Sequence, residues 1–399
     1  MSVRNLDKLF KPEAVALIGA TPRHGSPGAV LARNLRRGGF RGPLMLVNPH
    51  HRSIGGAPVH RDIASLPEVP DLAVIATSPE TVPGLIGELG ARGTRAAVVI
   101  TAGFGERGAS GHALQQATLE AARPHLLRLV GPNCIGIMVP AVGLDASVSH
   151  IRPLPGDLAF VSQSGGMITA VVDWATSRAI GFSHVVSLGD MADVDFGDML
   201  DYLAADPGTR AILLYIEAIT QARKFMSAAR AAARNKPVLA VKGGRFGFAE
   251  TARAAASHTE ARAGADAVYE AAFRRAGMLR VETMAELFDA VETLALTRAQ
   301  QGDRLAILTN GGGPGVLAID ALVAQDGRLA TLSPDTVAQL DRVLPRAWSR
   351  GNPIDISAMH LDSVMPRRCR YCSATETSTR SSRSTARRPW RRRERPPAR

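Results

Sequence analysis

Ala14-Val15-Ala16-Leu17-Ile18-Gly19-Ala20-Thr21-Pro22-Arg23-His24-Gly25-Ser26-Pro27-Gly28 carries three structural signals in fifteen residues. The apolar residues at its start run without polar alternation, which predicts a strand buried on both faces. Glycine and proline then break the chain from Gly19 to Gly28. A helix-like stretch follows to Arg37, where Gly38-Gly39 stops it. A buried strand, a glycine loop and a helix, in that order, predict a βα unit of a parallel sheet. The glycines let backbone approach a ligand, and the helix N-terminus offers free N–H groups to a phosphate. A tight turn without a ligand would read the same way.

The same alternation continues on either side. Leu44-Met45-Leu46-Val47 is a second apolar run, closed by Asn48-Pro49, and Leu72–Ala76, Ala96–Ile100 and Leu126–Val130 follow. A second series begins near Pro155, with strands expected at Leu158–Val161, His184–Ser187, Ala211–Ile216 and Val238–Val241. Helices are expected at Phe225–Arg234 and Gly264–Arg275. A third series opens at Arg304–Thr309, before Gly311-Gly312-Gly313-Pro314-Gly315. Strand, glycine loop and helix therefore recur at Gly19, Gly165 and Gly311. We read an α/β protein of βα modules in series, and 399 residues suit two or three domains at ~150 residues each.

The formal charge is +12, but it is uneven. Pro366–Arg399 holds twelve Arg, no Lys and two Glu, a net of +10, which leaves +2 for the rest. A nucleic-acid reading would rest on that segment alone. From about Met359 apolar periodicity disappears, and a chain of that composition buries too little apolar surface to offset its ordering entropy. No apolar stretch reaches the ~18–20 residues of a membrane helix, and acidic and basic residues interrupt the N-terminus where a signal peptide would be apolar. Cys134 alone in the body cannot build a disulfide framework, so a cytoplasmic location is expected. Cys369 and Cys372 form a lone CxxC, too little for a metal site.

Several loops just past strands offer small residues and backbone amides. No acid closes the second strand, where Asn48-Pro49-His50 stands, so a dinucleotide cofactor needing a carboxylate on its ribose is disfavoured. Thr101-Ala102-Gly103-Phe104-Gly105-Glu106, Gly131-Pro132-Asn133-Cys134-Ile135-Gly136 and Ser162-Gln163-Ser164-Gly165-Gly166 each follow an apolar run. Together with the Gly19 loop they describe a crevice lined by Gly, Ser, Thr and Asn. His258, in Ser257-His258-Thr259-Glu260, precedes a helix and reads as a nucleophile that can be phosphorylated, or as an exposed loop histidine. Glu217, at the end of a strand, is the best placed carboxylate to hold its tautomer. Cys134 lacks a His/Asp arrangement and reads as a small buried residue. The stretch Asp190, Asp193, Asp195, Asp198, Asp201 lacks the glycine and terminal Glu of a calcium loop, and within it Asp195, Asp198 and Asp201 read as helix cap and solvated face. No metal site is expected.

These motifs, in this order, resemble the NDP-forming acyl-CoA synthetases, relatives of succinyl-CoA synthetase. The resemblance is carried by Gly19-Ala20-Thr21, Val47-Asn48-Pro49, Gly131–Gly136, Ser162–Gly165, Tyr215-Ile216-Glu217, Lys242-Gly243-Gly244-Arg245, Ser257-His258-Thr259, Asn310–Gly315 and Asn352–Ile356. It implies a CoA-binding Rossmann-like domain over 1–145 and a flavodoxin-like ligase domain over 150–298. An incomplete second ligase domain would span 302–358, and 359–399 is expected to be a disordered tail from a shifted reading frame. His258 matches the family's phosphohistidine and Glu217 the carboxylate that orients it. The residues expected at coenzyme A are Gly19, Ala20, Thr21, Ser26, Gly28, Asn48, Pro49, Thr77, Thr101, Gly103, Asn133, Ser162, Ser164 and Gly165. The family reaction converts acyl-CoA, phosphate and a nucleoside diphosphate to acid, CoA and nucleoside triphosphate through an acyl phosphate and a phosphohistidine. ATP or ADP would enter only through an ATP-grasp domain missing from this chain, so an ATP-grasp subunit is the expected partner. The other expected ligands are CoA and a small carboxylic acid or acyl-CoA; neither nucleic acid nor membrane is expected. Two alternatives are a non-catalytic acyl-CoA-sensing module of the kind fused to protein acetyltransferases, and an inactive truncated product. Two positions depart from the family pattern: Glu260 stands where Gly is usual, and Asp190 where Asn is usual.

Overall fold

The computed structural model describes residues 3–244, 266–296, 303–356 and 380–384. They fall into two compact units, Met1–Thr297 and Arg298–Arg399.

The first unit contains two sheets. The strands of the first are β1 (Val15–Ile18), β2 (Leu44–Val47), β3 (Ser53–Ile54), β4 (Ala57–His60), β5 (Leu72–Ile75), β6 (Ala96–Val99) and β7 (Arg128–Val130), in the spatial order β3-β4-β2-β1-β5-β6-β7. All pairs are parallel except β3 with β4. Every residue of β1, β5 and β6 is buried, as an unbroken apolar run requires of a strand covered on both faces. The covering helices are α1 (Asp7–Phe10), α2 (Pro27–Arg37), α3 (Val82–Arg92) and α4 (Ala109–Ala122).

The second sheet comprises β8 (Gly136–Val139), β9 (Leu144–Ser147), β10 (Leu154–Ser162), β11 (Gly181–Ser187), β12 (Ala211–Ile216), β13 (Val238–Lys242) and β14 (Leu279–Val281), ordered β14-β13-β12-β10-β11-β8-β9. The described helices are α5 (Gly165–Thr176), α6 (Phe196–Ala205), α7 (Ala222–Asn235), α8 (Asp266–Ala276) and α9 (Met284–Leu296). Strands β8 and β9, which the sequence does not mark, pair antiparallel: β8 with β11, and β9 with β8. The chain therefore passes from the first sheet to the second between β7 and β8. The edge of β7 is taken by the segment after β11, where Val194 and Ala192 donate to the carbonyls of Leu129 and Gly131 (both 3.1 Å).

That crossover also explains the Asp-rich stretch. Asp193 accepts from the Leu129 N–H (2.9 Å) and the Arg128 guanidinium (2.8 Å). Asp195 and Asp198 form a capping box at the start of α6. Asp198 is fully buried and paired with Lys224 (2.6 Å) and Arg128 (3.1 Å), as a buried carboxylate must be. Among the described residues no group of three or more His, Cys, Asp or Glu is arranged to hold a metal ion. One apolar core runs from α1 and α2 through β1 and β5 into β10, β12, α6 and α7, so the two sheets form one unit. Phe10 lies within it, 5.2 Å from the His184 ring and 4.8 Å from Tyr202.

The second unit holds β15 (Arg304–Thr309), α10 (Gly312–Ala324), β16 (Arg328–Leu329), α11 (Pro334–Val343), β17 (Ile354–Asp355) and β18 (Arg380–Ser384). The Asn352 side chain accepts from Ile307 N–H and donates to the Leu305 and Ala330 carbonyls, joining β15 to the end of β16. Five residues of the segment expected to be disordered, Arg380–Ser384, pair in parallel with Leu305–Thr309. Edge pairing uses backbone groups that every residue type carries, so a polar segment can make it without an apolar core. Among the described residues no helix is long and apolar enough to cross a membrane.

Candidate functional site

In parallel α/β sheets ligands bind at the carboxyl ends of the strands. The Gly19 loop leaves the end of β1 there. Gly19 has φ +93°, and a Cβ on it would lie 2.5 Å from the Ala76 carbonyl oxygen; a Cβ on Gly28 would strike the carbonyl oxygen of Gly19. The loop therefore folds back on itself under the end of β5, and only glycine fits both places. No side chain caps α2: the Ser26 hydroxyl donates to the Arg23 carbonyl (2.6 Å) instead. Pro27 has no N–H, and the Ala29 and Val30 N–H groups donate to the Ser26 carbonyl (3.1 and 3.0 Å), so the first turn of α2 leaves the Gly28 N–H for an anion. Thr21 Oγ1 accepts from the Arg23 N–H (3.3 Å) within the same loop.

Asn48 sits at the end of β2, where the amide donates to the Ala20 carbonyl (2.7 Å) and its oxygen accepts from the His50 N–H (2.8 Å). Both polar ends are thus spent on the protein, and Asn48 acts on the Gly19 loop by holding it. Pro49 is exposed beside it. After β5 and β6, the Thr101 hydroxyl donates to the Thr77 carbonyl (2.8 Å), tying two strand ends together. Glu106 folds back to accept from the Gly103 and Phe104 N–H groups. After β7, the Asn133 N–H donates to the Thr101 carbonyl (2.9 Å). Cys134 is buried, and burial pushes its thiol up to about 12. It is no nucleophile at neutral pH.

The second sheet brings its own strand ends to the β7–β8 loop. Ile135 N–H donates to Ser187 Oγ (3.1 Å), and a Cβ on Gly165 would run into the Ile135 side chain. Asn133 Nδ2 donates to Asp190 Oδ1 (3.2 Å). Burial pushes the Asp190 carboxyl up to about 6, Glu106 adds to the rise and Asn133 opposes it. Ser162 and Ser164 form a turn at the start of α5, with the Ser162 hydroxyl donating to the Ser164 carbonyl (2.8 Å). The Glu217 and Ala218 N–H groups donate to Gln163 Oε1 (2.6 and 2.8 Å), which fixes the Glu217 backbone against that turn. Glu217 is half-buried, and its Cγ lies 3.7 Å from where a Gly243 Cβ would be. His258 and Glu260 lie outside the described residues.

One family model, described as a CoA binding domain, matches residues 13–140, and another, described as a succinyl-CoA ligase like flavodoxin domain, matches residues 155–294. The α subunit of ADP-forming acetate–CoA ligase I from Pyrococcus furiosus is 37% identical over 359 residues, covering 89% of this chain and 77% of that subunit. The chain belongs to the ADP-forming acyl-CoA synthetase family.

Other members of the family agree. The ADP-forming acetate–CoA ligase I of Archaeoglobus fulgidus is 41% identical over 351 residues, covering 88% of this chain and 50% of that protein. The chain thus spans about half the length of that relative. Among solved structures, the dinucleotide forming acetyl-coenzyme A synthetase 1 of Ca. Korarchaeum cryptofilum, in complex with phosphate and ADP, superposes with a TM-score of 0.86 at 33% identity. It covers 94% of this chain and 81% of that one.

Against this acyl-CoA synthetase frame, three residues make contacts that the sequence does not reveal. Gln163 stands between two serines that were singled out, and that adjacency was its only signal. Lys242 is buried, donates to the Gly243 carbonyl and lies 4.7 Å from the Tyr269 ring centroid; burial lowers its pKa. Asp190, marked in the sequence as a departure from the family's usual Asn, turns its side chain toward Asn133.

Proposed function

We propose that this chain is the CoA-binding and ligase part of an NDP-forming acyl-CoA synthetase. It interconverts acyl-CoA, phosphate and nucleoside diphosphate with the free acid, CoA and nucleoside triphosphate. The observation that carries this reading is the convergence on the β7–β8 loop. The β6 loop of the first sheet and the β11 strand end and loop of the second, the sheet that bears Glu217, both bond to it.

In the acid-forming direction a phosphate oxygen attacks the thioester carbonyl, the C–S bond breaks, and CoA leaves as a thiolate that takes up a proton. An imidazole nitrogen of His258 then attacks the phosphorus of the acyl phosphate, and the P–O bond to the acyl oxygen breaks to release a carboxylate. The phosphoryl group finally passes to the terminal oxygen of the diphosphate on an ATP-grasp component, which frees the imidazole. A nucleophilic histidine splits one difficult transfer into two easier ones. Glu217 holds the imidazole in one tautomer. Its fixed backbone and its place beside Gly243, at the start of the segment that carries His258, support that role. The Gly19 loop takes the CoA phosphates, and Thr77, Thr101, Gly103 and Asn133 line the path toward the second sheet.

The test is incubation of the full chain with acetyl phosphate radiolabelled at phosphorus. Wild type is expected to gain an acid-labile, base-stable label that H258N lacks and E217Q gains more slowly, with CoA binding unchanged in both variants. A wild-type chain that binds CoA and takes no label would remove the catalytic claim.

A further inference from the structure

Asn133 is held from two sides. Its backbone N–H is tied to Thr101 in the first sheet's β6 loop, and its side-chain amide to Asp190 in the second sheet's β11 loop. Asp190 is itself anchored, because its N–H donates to the Pro132 carbonyl (3.0 Å). An ionised carboxylate accepts hydrogen bonds and cannot donate them. The Asn133 amide nitrogen must therefore face Asp190, and its carbonyl oxygen must face away. That oxygen meets no donor among the described residues, and Asn133 is only partly buried.

Building on the CoA reading above, we infer that Asp190 is a positioning residue. It commits Asn133 to present a carbonyl oxygen to the crevice, as acceptor for an N–H donor on the pantetheine arm of CoA. Three strand positions separate β1 from β7, so at ~4.8 Å per strand Asn133 lies roughly 14 Å along the sheet edge from the phosphate loop. That is the stretch an arm running from the phosphates toward the second sheet has to cross. The arm carries two amide N–H donors. An acid substrate in its carboxylate form carries only acceptors, so this oxygen selects the arm and turns the acid away.

The pair also carries a pH dependence. Asp190 faces Asn133 and Cys134 from the β7–β8 loop, Glu106 from the β6 loop and His112 from α4. Once protonated, its O–H can donate to the Asn133 oxygen, the amide turns over, and the crevice meets an N–H in place of an acceptor. CoA affinity is therefore expected to fall as pH drops through about 6.

The experiment is calorimetric titration of the full chain with CoA and, separately, with adenosine 3′,5′-bisphosphate, which lacks the arm. D190N, whose amide leaves either orientation of Asn133 open, is expected to weaken CoA up to about tenfold and leave the bisphosphate unchanged. The exchange N133D/D190N restores an acceptor at the crevice and is expected to recover most of the loss. D190N is also expected to flatten the fall in CoA affinity below pH 6. Equal weakening of both ligands, or wild-type CoA affinity in D190N, would overturn the assignment. Binding of neither ligand by wild type would instead overturn the CoA reading itself.

Discussion

The glycine loops at Gly19–Gly28 and Gly311–Gly315 each follow a buried apolar strand and open a helix, yet they differ in what surrounds them. In the first, backbone stands where a side chain would be: the Ala76 carbonyl over Gly19 and the Gly19 carbonyl over Gly28. In the second, a Cβ on Gly313 would meet nothing within 4 Å, and one on Gly312 would approach only Asp355 Oδ2 at 3.4 Å. The same letters therefore answer to two causes. Gly19 and Gly28 are demanded by the closure of their own loop, whereas packing within its own unit does not demand Gly313.

The contrast breaks most sharply at Gly28. G28A forces a Cβ onto a backbone carbonyl and is expected to cost ~3 kcal/mol, read as a lower urea midpoint with loss of CoA binding. A variant with wild-type stability would show that the loop can open without penalty. The crowding that closes the first unit also buries a titratable group at its seam. Burial holds His184 down to about 4, against the opposing pull of Asp206. Its neutral form supports folding fully above about 6.5, and that support is lost as pH falls through about 4. On the order of 3 kcal/mol is at stake. H184F keeps a ring against Phe10 and Tyr202 and is expected to lower the acid-unfolding midpoint followed by circular dichroism; an unchanged midpoint would remove His184 from the account.

G165A stands between the extremes, because its Cβ meets a side chain, Ile135, that can move. A loss of about 1 kcal/mol is expected in the same urea experiment. G313A has the smallest expected effect and the opposite sign. With open space and a helical site in α10, it should stabilise its unit by about 0.5 kcal/mol. A large loss at Gly313 would mean that something covers this loop after all.

The two glycine loops also show how far the sequence could be read. The strands around them were legible because a strand buried on both faces is an unbroken apolar run, whichever sheet it joins. For that same reason the sheet that β8 and β9 join is not legible: their buried residues suit either, and pairing with β11 is a choice made across distant chain. Asn48 was legible as a strand-end residue at the site, but not as one whose amide is spent on Ala20 and His50. Gln163 left no mark beyond its neighbours, since its bonds to Glu217 and Ala218 join residues more than fifty apart.

Local pattern, then, determined the α/β class, the glycine loops at the strand ends, the helix cap at Asp195 and the family likeness. These depend on periodicity and backbone preference, which act over a few neighbouring residues. Only the tertiary structure decided that β8 and β9 join the second sheet, that Phe10 meets His184, and that Asp190 turns from an acidic stretch to take the amide of Asn133. Asp190 and Asn133 are 57 residues apart. Nothing in the spacing of a carboxylate shows which distant loop it will face, because that follows from the packing of whole sheets.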